Sequence, residues 1–360
     1  MKLALVHEWL TNMAGSERVL GAMAELWPEA PVYTSVYAPE ALPAQFAPGT
    51  MDVRCSWLQQ IPSANRHWRA LLPFMPSAFE SFDLSGYDTV ITNCHQCAKG
   101  VLTPVHTRHI CYCYTPIRYA WEMPHRYLAE AGAFSRLLLP PVLRRLRVWD
   151  YVAAQRPDQY IAISRFVGRR IEKHYRRAVD AVIYPPVVCA DFAPAAEREE
   201  FFLVVSRLVG YKQVDLAAAA FTELGLPLKI VGTGPDEARV RAAAGPTVEL
   251  LGWQDDAAVR DLYSRARGLV FCGVEDFGLT PVEAQASGCP VIALGQGGTL
   301  ETVIDGETGL FFDEPTTASL ADAVRRFTAR DWSPEACQAN ARRFDIALFK
   351  QQLADFVANA

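Results

Sequence analysis

The residues of this 360-residue chain with the clearest chemical potential are two carboxylates eight positions apart, Glu275 and Glu283. An apolar run, Gly268 to Cys272, leads into the loop that carries Glu275. A short helix is predicted from Thr280 to Gly288, with Thr280 at the N-cap, Pro281 at N1 and Gly288 at the C-terminal cap. A second strand, Val291 to Leu294, follows. The carboxylates thus flank a helix N-terminus, where backbone N–H groups lack intrahelical partners and the partial charge is positive. Thr280 and Glu283 also satisfy a capping box, which explains Glu283 alone. It does not explain Glu275 or the Phe277-Gly278-Leu279 turn between them. Carboxylates accept from sugar hydroxyls and helix-end amides donate to phosphate oxygens. The stretch therefore predicts a site for a molecule with hydroxyls at one end and phosphate in the middle.

The glutamate pair with Phe277-Gly278 inside it, followed by Gly288-Cys289-Pro290-Val291-Ile292, resembles the donor-site motif of retaining glycosyltransferase family 4. Val6-His7-Glu8-Trp9-Leu10, Ala98-Lys99-Gly100, Arg118-Tyr119-Ala120-Trp121 and Tyr184-Pro185-Pro186-Val187 resemble bacterial O-antigen and exopolysaccharide mannosyltransferases that use GDP-mannose. The resemblance covers nearly the whole chain. It implies an α/β protein of GT-B architecture, two Rossmann-like parallel-sheet domains facing a central cleft. It further implies transfer of α-mannose, with retention, to a polyprenyl-diphosphate-linked glycan in surface polysaccharide synthesis. Two alternatives stay open: the same fold with a UDP- or dTDP-sugar donor, and a non-catalytic nucleotide-sugar or glycan binder.

Sugar transfer from a nucleotide diphosphate requires stabilising the departing diphosphate, by a metal or by fixed cations and helix ends. The stretch Ser206 to Lys212 follows a predicted strand. There Arg207 offers a planar fork for phosphate oxygens and Lys212 a mobile point charge. The pair resembles the family's diphosphate-binding cations, so no metal and no separate cofactor are expected. By the same resemblance Glu275 accepts from the donor sugar, Glu283 from the ribose, and the amides of Phe277, Gly278 and Leu279 line sugar and phosphate. Gly15, in the first predicted βα loop, is expected near the donor phosphates, and Gly232 in the pocket for the base. One departure stands out: Tyr114-Thr115-Pro116 replaces the His-Thr-Pro of relatives. Tyrosine donates and accepts hydrogen bonds but is a poor base near neutrality. Tyr114 is kept as a candidate catalytic residue, with His7, His95, His106 and His109 as nearby histidines.

These residues need two sheets to position them, and the chain is long enough for two domains. Strands are predicted at 2–7, 32–37, 89–93, 110–114 and 160–164, then at 201–206, 228–232, 248–251, 268–272 and 291–294, alternating with helices in a parallel α/β pattern. Residues 1–188 are expected to form an acceptor-binding domain. Residues 189–342 form the donor-binding one, with a helix over 343–360 crossing back to the first.

Nine cysteines, an odd count, sit among apolar neighbours and read as buried free thiols rather than a zinc site or disulfide framework. Between Gln60 and Arg177 there are 17 Lys/Arg against 8 Asp/Glu; between Phe201 and Arg330 there are 11 against 17. A basic first half predicts an anionic partner. Asn65 to Pro76 and Phe134 to Trp149 mix arginine with aromatic and aliphatic residues in the manner of surfaces that lie on anionic bilayers. No apolar run is long enough to span one, and the first residues are too soon acidic for a signal peptide. The expectation is a cytoplasmic protein peripheral to the inner face of the plasma membrane. No nucleic-acid recognition module is discernible.

Overall fold

The computed structural model describes residues 1–124 and 133–359. Two compact units divide the chain, one of residues 1–184 with 350–360 and the other of residues 185–349.

In the first unit seven parallel strands lie in the order β3-β2-β1-β4-β5-β6-β7. They are β1 (Leu3–His7), β2 (Val32–Thr34), β3 (Val53–Cys55), β4 (Thr89–Cys94), β5 (Arg108–Cys113), β6 (Gln159–Ala162) and β7 (Ala181–Val182). β1 and β4 are buried along their whole length, as expected of parallel strands covered on both faces. Helix α1 (Gly15–Leu26) follows β1. Further along come α2 (Ala133–Ala153) and α3 (Arg165–Tyr175), the latter capped by the Ser164 hydroxyl accepting from the Val167 amide.

In the second unit six parallel strands are ordered β10-β9-β8-β11-β12-β13. These are β8 (Phe202–Val205), β9 (Leu228–Val231), β10 (Val248–Gly252), β11 (Gly268–Phe271), β12 (Val291–Leu294) and β13 (Gly309–Phe312). Between them run α4 (Val214–Leu224), α5 (Glu237–Ala243), α6 (Asp256–Arg265) and α7 (Leu279–Ala286). The unit closes with α8 (Thr317–Thr328) and α9 (Pro334–Ala341). Alternate residues of each strand feed two cores: Phe202, Val204, Ile230 and Ile292 on one face, Leu203, Val231, Leu269 and Val291 on the other. The last helix, α10 (Ile346–Asn359), begins in this unit, and its residues from Lys350 onward belong to the first.

Both sheets reverse their direction of growth once, between β1 and β4 and between β8 and β11. At such a reversal the loops leaving the two strands diverge and open a crevice at their carboxyl ends. Three strands escaped the sequence reading, β3, β7 and β13. β3 and β7 have three and two residues, too few to show a pattern, and β13 follows a glycine turn. The expected strand over 32–37 ends at Thr34. Beyond it only an isolated bridge, Leu10 to Tyr37, continues the pairing.

Candidate functional site

The crevice of the second sheet is bounded by the loops after β8 and β11, and these carry Arg207, Lys212 and Glu275. Lys212 Nζ lies 2.5 Å from Glu275 Oε1, with the side chains 18% and 15% exposed. Arg207 is exposed, with no ion-pair partner among the described residues.

Glycines bring these loops together. Gly232 has φ +131°, and a Cβ there would lie 1.9 Å from the Ser206 carbonyl oxygen; one at Gly234 would lie 2.2 Å from that of Leu208. The β9 loop thus rests directly on the loop bearing Arg207, which it also bonds through the Leu208 amide to the Thr233 carbonyl, 3.0 Å. On the other side Gly297 and Gly298 press on the Glu275 loop. The Gly298 amide donates to the Glu275 carbonyl at 2.8 Å, and a Cβ on Gly298 would sit 2.4 Å from Phe277 Cα. This Gly297-Gly298 buttress was missed from sequence, although a glycine pair just after a buried strand is a signal of close backbone approach.

Helix α7 corrects one expectation. It starts at Leu279, not after Thr280, and its N-cap is Gly278 at φ +97° with no side-chain cap. Glycine tolerates that left-handed backbone, so the helix begins early and Thr280 and Pro281 fall inside it. Glu283 is therefore the fifth helical residue and closes no capping box; its carboxylate accepts from the Tyr263 hydroxyl at 3.3 Å. Gly288, at φ +72°, follows the C-cap Ser287, and the Cys289 amide reaches back to the Ala284 carbonyl. Phe277 is buried edge-on to Phe344, which anchors the turn before α7.

The remaining candidates lie in the first unit, whose crevice is built differently. Gly15 is the first residue of α1, and Glu17 accepts from the Ala14 amide one residue earlier, at 3.0 Å. Tyr114, just past β5, donates its hydroxyl to the Ser16 carbonyl at 3.2 Å; burial holds its ionisation well above the ordinary range. It is positioned as a neutral hydrogen-bonding group.

At the strand reversal the Glu8 carboxylate is fully buried. It accepts from the amides of His95 (3.2 Å), Gln96 (2.7 Å), Cys97 (2.9 Å) and Ala98 (3.1 Å). Burial alone would raise its pKa, but nearby His95, the Cys97 and Ala98 amides and Lys99 outweigh it and hold the carboxyl below its usual range. Lys99 is buried against Asp150 at 2.5 Å, and Asp150 also accepts from the Trp121 indole (2.7 Å) and the Tyr175 hydroxyl (2.9 Å). The Ala98-Lys99-Gly100 and Arg118–Trp121 motifs thus meet in a structural ion pair.

The histidines divide accordingly. His7 is buried against Glu17, and His109 against Thr92. His106 sits before β5, at the opposite edge of the sheet, near the Ser85 carbonyl. His95 lies at the carboxyl edge, edge-on to Trp9 at 4.9 Å and 6.4 Å from the Tyr114 ring.

All nine cysteines are free, seven of them buried. Among the described residues no group of three His, Cys, Asp or Glu is placed to hold a metal, and no helix is long and apolar enough to cross a membrane.

Residues 191–344 match the family Glycosyl transferases group 1. The second unit is a glycosyltransferase group 1 domain. That domain contains Arg207, Lys212, Gly232, Glu275, Phe277, Gly278, Leu279 and Glu283. Glycogen synthase of Mycobacterium tuberculosis is 33% identical over 238 residues, 60% of this chain and 56% of that protein. The GDP-mannose-dependent alpha-(1-6)-phosphatidylinositol monomannoside mannosyltransferase of Mycolicibacterium smegmatis is 31% identical over 199 residues, 46% of this chain and 52% of that one. The chain spans 40% of the matched Bradyrhizobium diazoefficiens glycogen synthase 1 and 36% of the Acidiphilium cryptum glycogen synthase. Among solved structures, Anabaena HepE in complex with UDP superposes with a TM-score of 0.72 at 18% identity, each chain covered in full. The lipopolysaccharide outer core galactosyltransferase WaaB does so at 0.68 and 16%, with 99% of each covered. With these neighbours, the two parallel-sheet units show the GT-B architecture.

Proposed function

We propose that this protein is a retaining glycosyltransferase that moves α-mannose from GDP-mannose to a polyprenyl-diphosphate-linked glycan during assembly of a surface polysaccharide. The observation that carries the reading is the Lys212–Glu275 pair in the crevice of the group 1 domain, with the exposed Arg207 on the same loop as Lys212. In this reading Arg207 and Lys212 neutralise the departing diphosphate without a metal ion. Glu275 accepts from the sugar hydroxyls, and the amides of Phe277, Gly278 and Leu279 line sugar and phosphate. Glu283, oriented by Tyr263, accepts from the ribose, and Gly232 shapes the base pocket. The first unit supplies Gly15 and Tyr114 and takes the acceptor. The mannosyltransferase relative supports GDP-mannose as donor.

A UDP-sugar is the second reading, favoured by the solved complex of HepE with UDP-glucose. A purely binding role is disfavoured by the intact set of Arg207, Lys212, Glu275 and Glu283. Thermal unfolding with GDP, UDP, dTDP and ADP at matched concentration, with and without magnesium, tests these readings, because a bound nucleotide raises the melting temperature by mass action. Stabilisation by GDP alone, indifferent to magnesium, supports the first. A larger shift with UDP or dTDP replaces the donor, and no shift with any nucleotide removes the site.

The protein is proposed to work at the cytoplasmic face of the membrane. Val142, Val148 and Val152 of α2 are exposed beside Arg144 and Arg145, and Phe74 is exposed near Arg69. The side chains of Phe134, Leu137 and Leu138 of that stretch are not among those described. Equal pelleting with anionic and neutral vesicles would remove the membrane from this account.

A further inference from the structure

We propose that the Lys212–Glu275 ion pair makes the second unit select a nucleotide diphosphate that still carries its sugar over the bare nucleotide diphosphate. The inference rests on the nucleotide-sugar reading given above and adds a ligand preference to it.

Both backbones are held in place. The Lys212 amide donates to the Val209 carbonyl at 2.9 Å, and a Cβ on Gly273 would lie 3.0 Å from Lys212 Cα. Glu275 is pinned through its carbonyl to Gly298, and its strand-like bridge to Gly297 fixes the loop. Any adjustment to a ligand therefore falls on the two side chains. Among the described residues Lys212 is the only charged partner of the Glu275 carboxylate, and both side chains are mostly shielded from water. The Lys212 ammonium also lies 5.5 Å from the Tyr211 ring and 5.7 Å from that of Phe271, so its alternatives to Glu275 are weak cation–π contacts.

A diphosphate entering the crevice draws the ammonium towards itself. Glu275 is then left part-buried, without its counter-charge, and next to a new anion. Leaving one member of such a pair uncompensated is the costly outcome. A bare nucleotide diphosphate brings nothing to offset it. A hexose on the terminal phosphate brings hydroxyl donors, and charge-assisted hydrogen bonds to a carboxylate are among the strong ones. The same lysine movement is thus penalised for the product and offset for the donor, which favours release of the product.

Calorimetric titration of the full chain and its Glu275→Gln variant with GDP, GDP-mannose, UDP and UDP-glucose tests this. The variant is expected to bind the bare nucleotide about tenfold more tightly and its sugar-bearing form about tenfold more weakly than the parent. Glu275→Ala, lacking the carboxylate altogether, is expected to move the bare nucleotide in the same direction and serves if the glutamine variant does not fold. Equal shifts for both ligands, or weaker binding of the bare nucleotide in the variants, would overturn the inference while leaving the nucleotide-sugar reading in place. Failure of the parent to bind any of the four would overturn that reading, and the inference with it.

Discussion

Where the first sheet reverses, between β1 and β4, the Glu8 carboxylate lies buried beneath the amides of His95 to Ala98. Where the second sheet reverses, between β8 and β11, Lys212 and Glu275 meet within reach of solvent, and the loop that carries Lys212 also carries the exposed Arg207. Both crevices hold a carboxylate at the strand reversal, Glu8 after the first strand of its pair and Glu275 after the second of its own. One fills an anion-binding nest with the protein's own side chain, so its amides are satisfied before any ligand arrives. The other is balanced by a single lysine that a stronger anion can take away. The difference teaches that the strand-reversal rule locates a crevice but not its vacancy. Whether the anion slot is self-filled decides which crevice is left for a diphosphate.

The sharpest break of this comparison is Glu8→Ala. Four amides lose their buried acceptor while Lys99 keeps Asp150, and about 3–5 kcal/mol of stability should be lost. Calorimetric melting checks it; an unchanged first-unit transition would mean that the nest does not depend on its carboxylate. Lys212→Ala should act mainly on function, cutting donor turnover by about two to three orders of magnitude, as loss of a transition-state cation does, while the uncompensated, part-buried Glu275 costs a smaller loss of about 1–2 kcal/mol in melting. Release of free sugar from the donor gives the readout, and near-parent turnover would take Lys212 out of the site. Gly298→Ala tests the buttress. The new methyl must displace the Phe277 backbone, so about 1–3 kcal/mol of stability and much of the nucleotide affinity should go together.

Acid sharpens the contrast further. Burial pushes His109 down to about 3, with Arg156 and Arg177 adding to it. Its folded-state pKa lies below the unfolded value of about 6.5, so its contribution to stability is present above that pH and is lost progressively between about 6.5 and 3. The lowered Glu8 and Glu17 add losses below about 4.5. For each extra proton bound by the unfolded chain the slope is about 1.4 kcal/mol per pH unit. Melting of the first unit between pH 7 and 4 should fall more steeply in the parent than in His109→Gln; identical slopes would exclude that histidine. The smallest effect expected is that of Tyr114→Phe, which removes one bond to the Ser16 carbonyl and should cost about 1 kcal/mol in melting.

Much of this was legible in the sequence. Continuous apolar runs announce the buried parallel strands; Glu275 stands out by its chemistry and spacing, whereas Arg207 and Lys212 gain a role only through the family resemblance. What stayed hidden depended on contacts distant in sequence or on single backbone angles. Glu8 stood in a recognised motif, but its cage comes from residues some 90 positions away. Thr280 looked like an N-cap because the pattern fits one; the left-handed backbone of Gly278 took the position instead. Lys99 read as part of a motif without a role, and only the tertiary fold shows it meeting Asp150.

The division of the chain has a consequence for how it is made. Residues 185–349 are contiguous, whereas the first unit needs residues 1–184 and also those from Lys350 onward. Arg108, at the start of β5, donates to the carbonyls of Phe356 and Val357 near the end of α10, at 3.2 and 2.9 Å. During synthesis, therefore, the part begun first is finished last. The inserted unit can close as soon as it leaves the ribosome, while the opening sheet waits for its final helix.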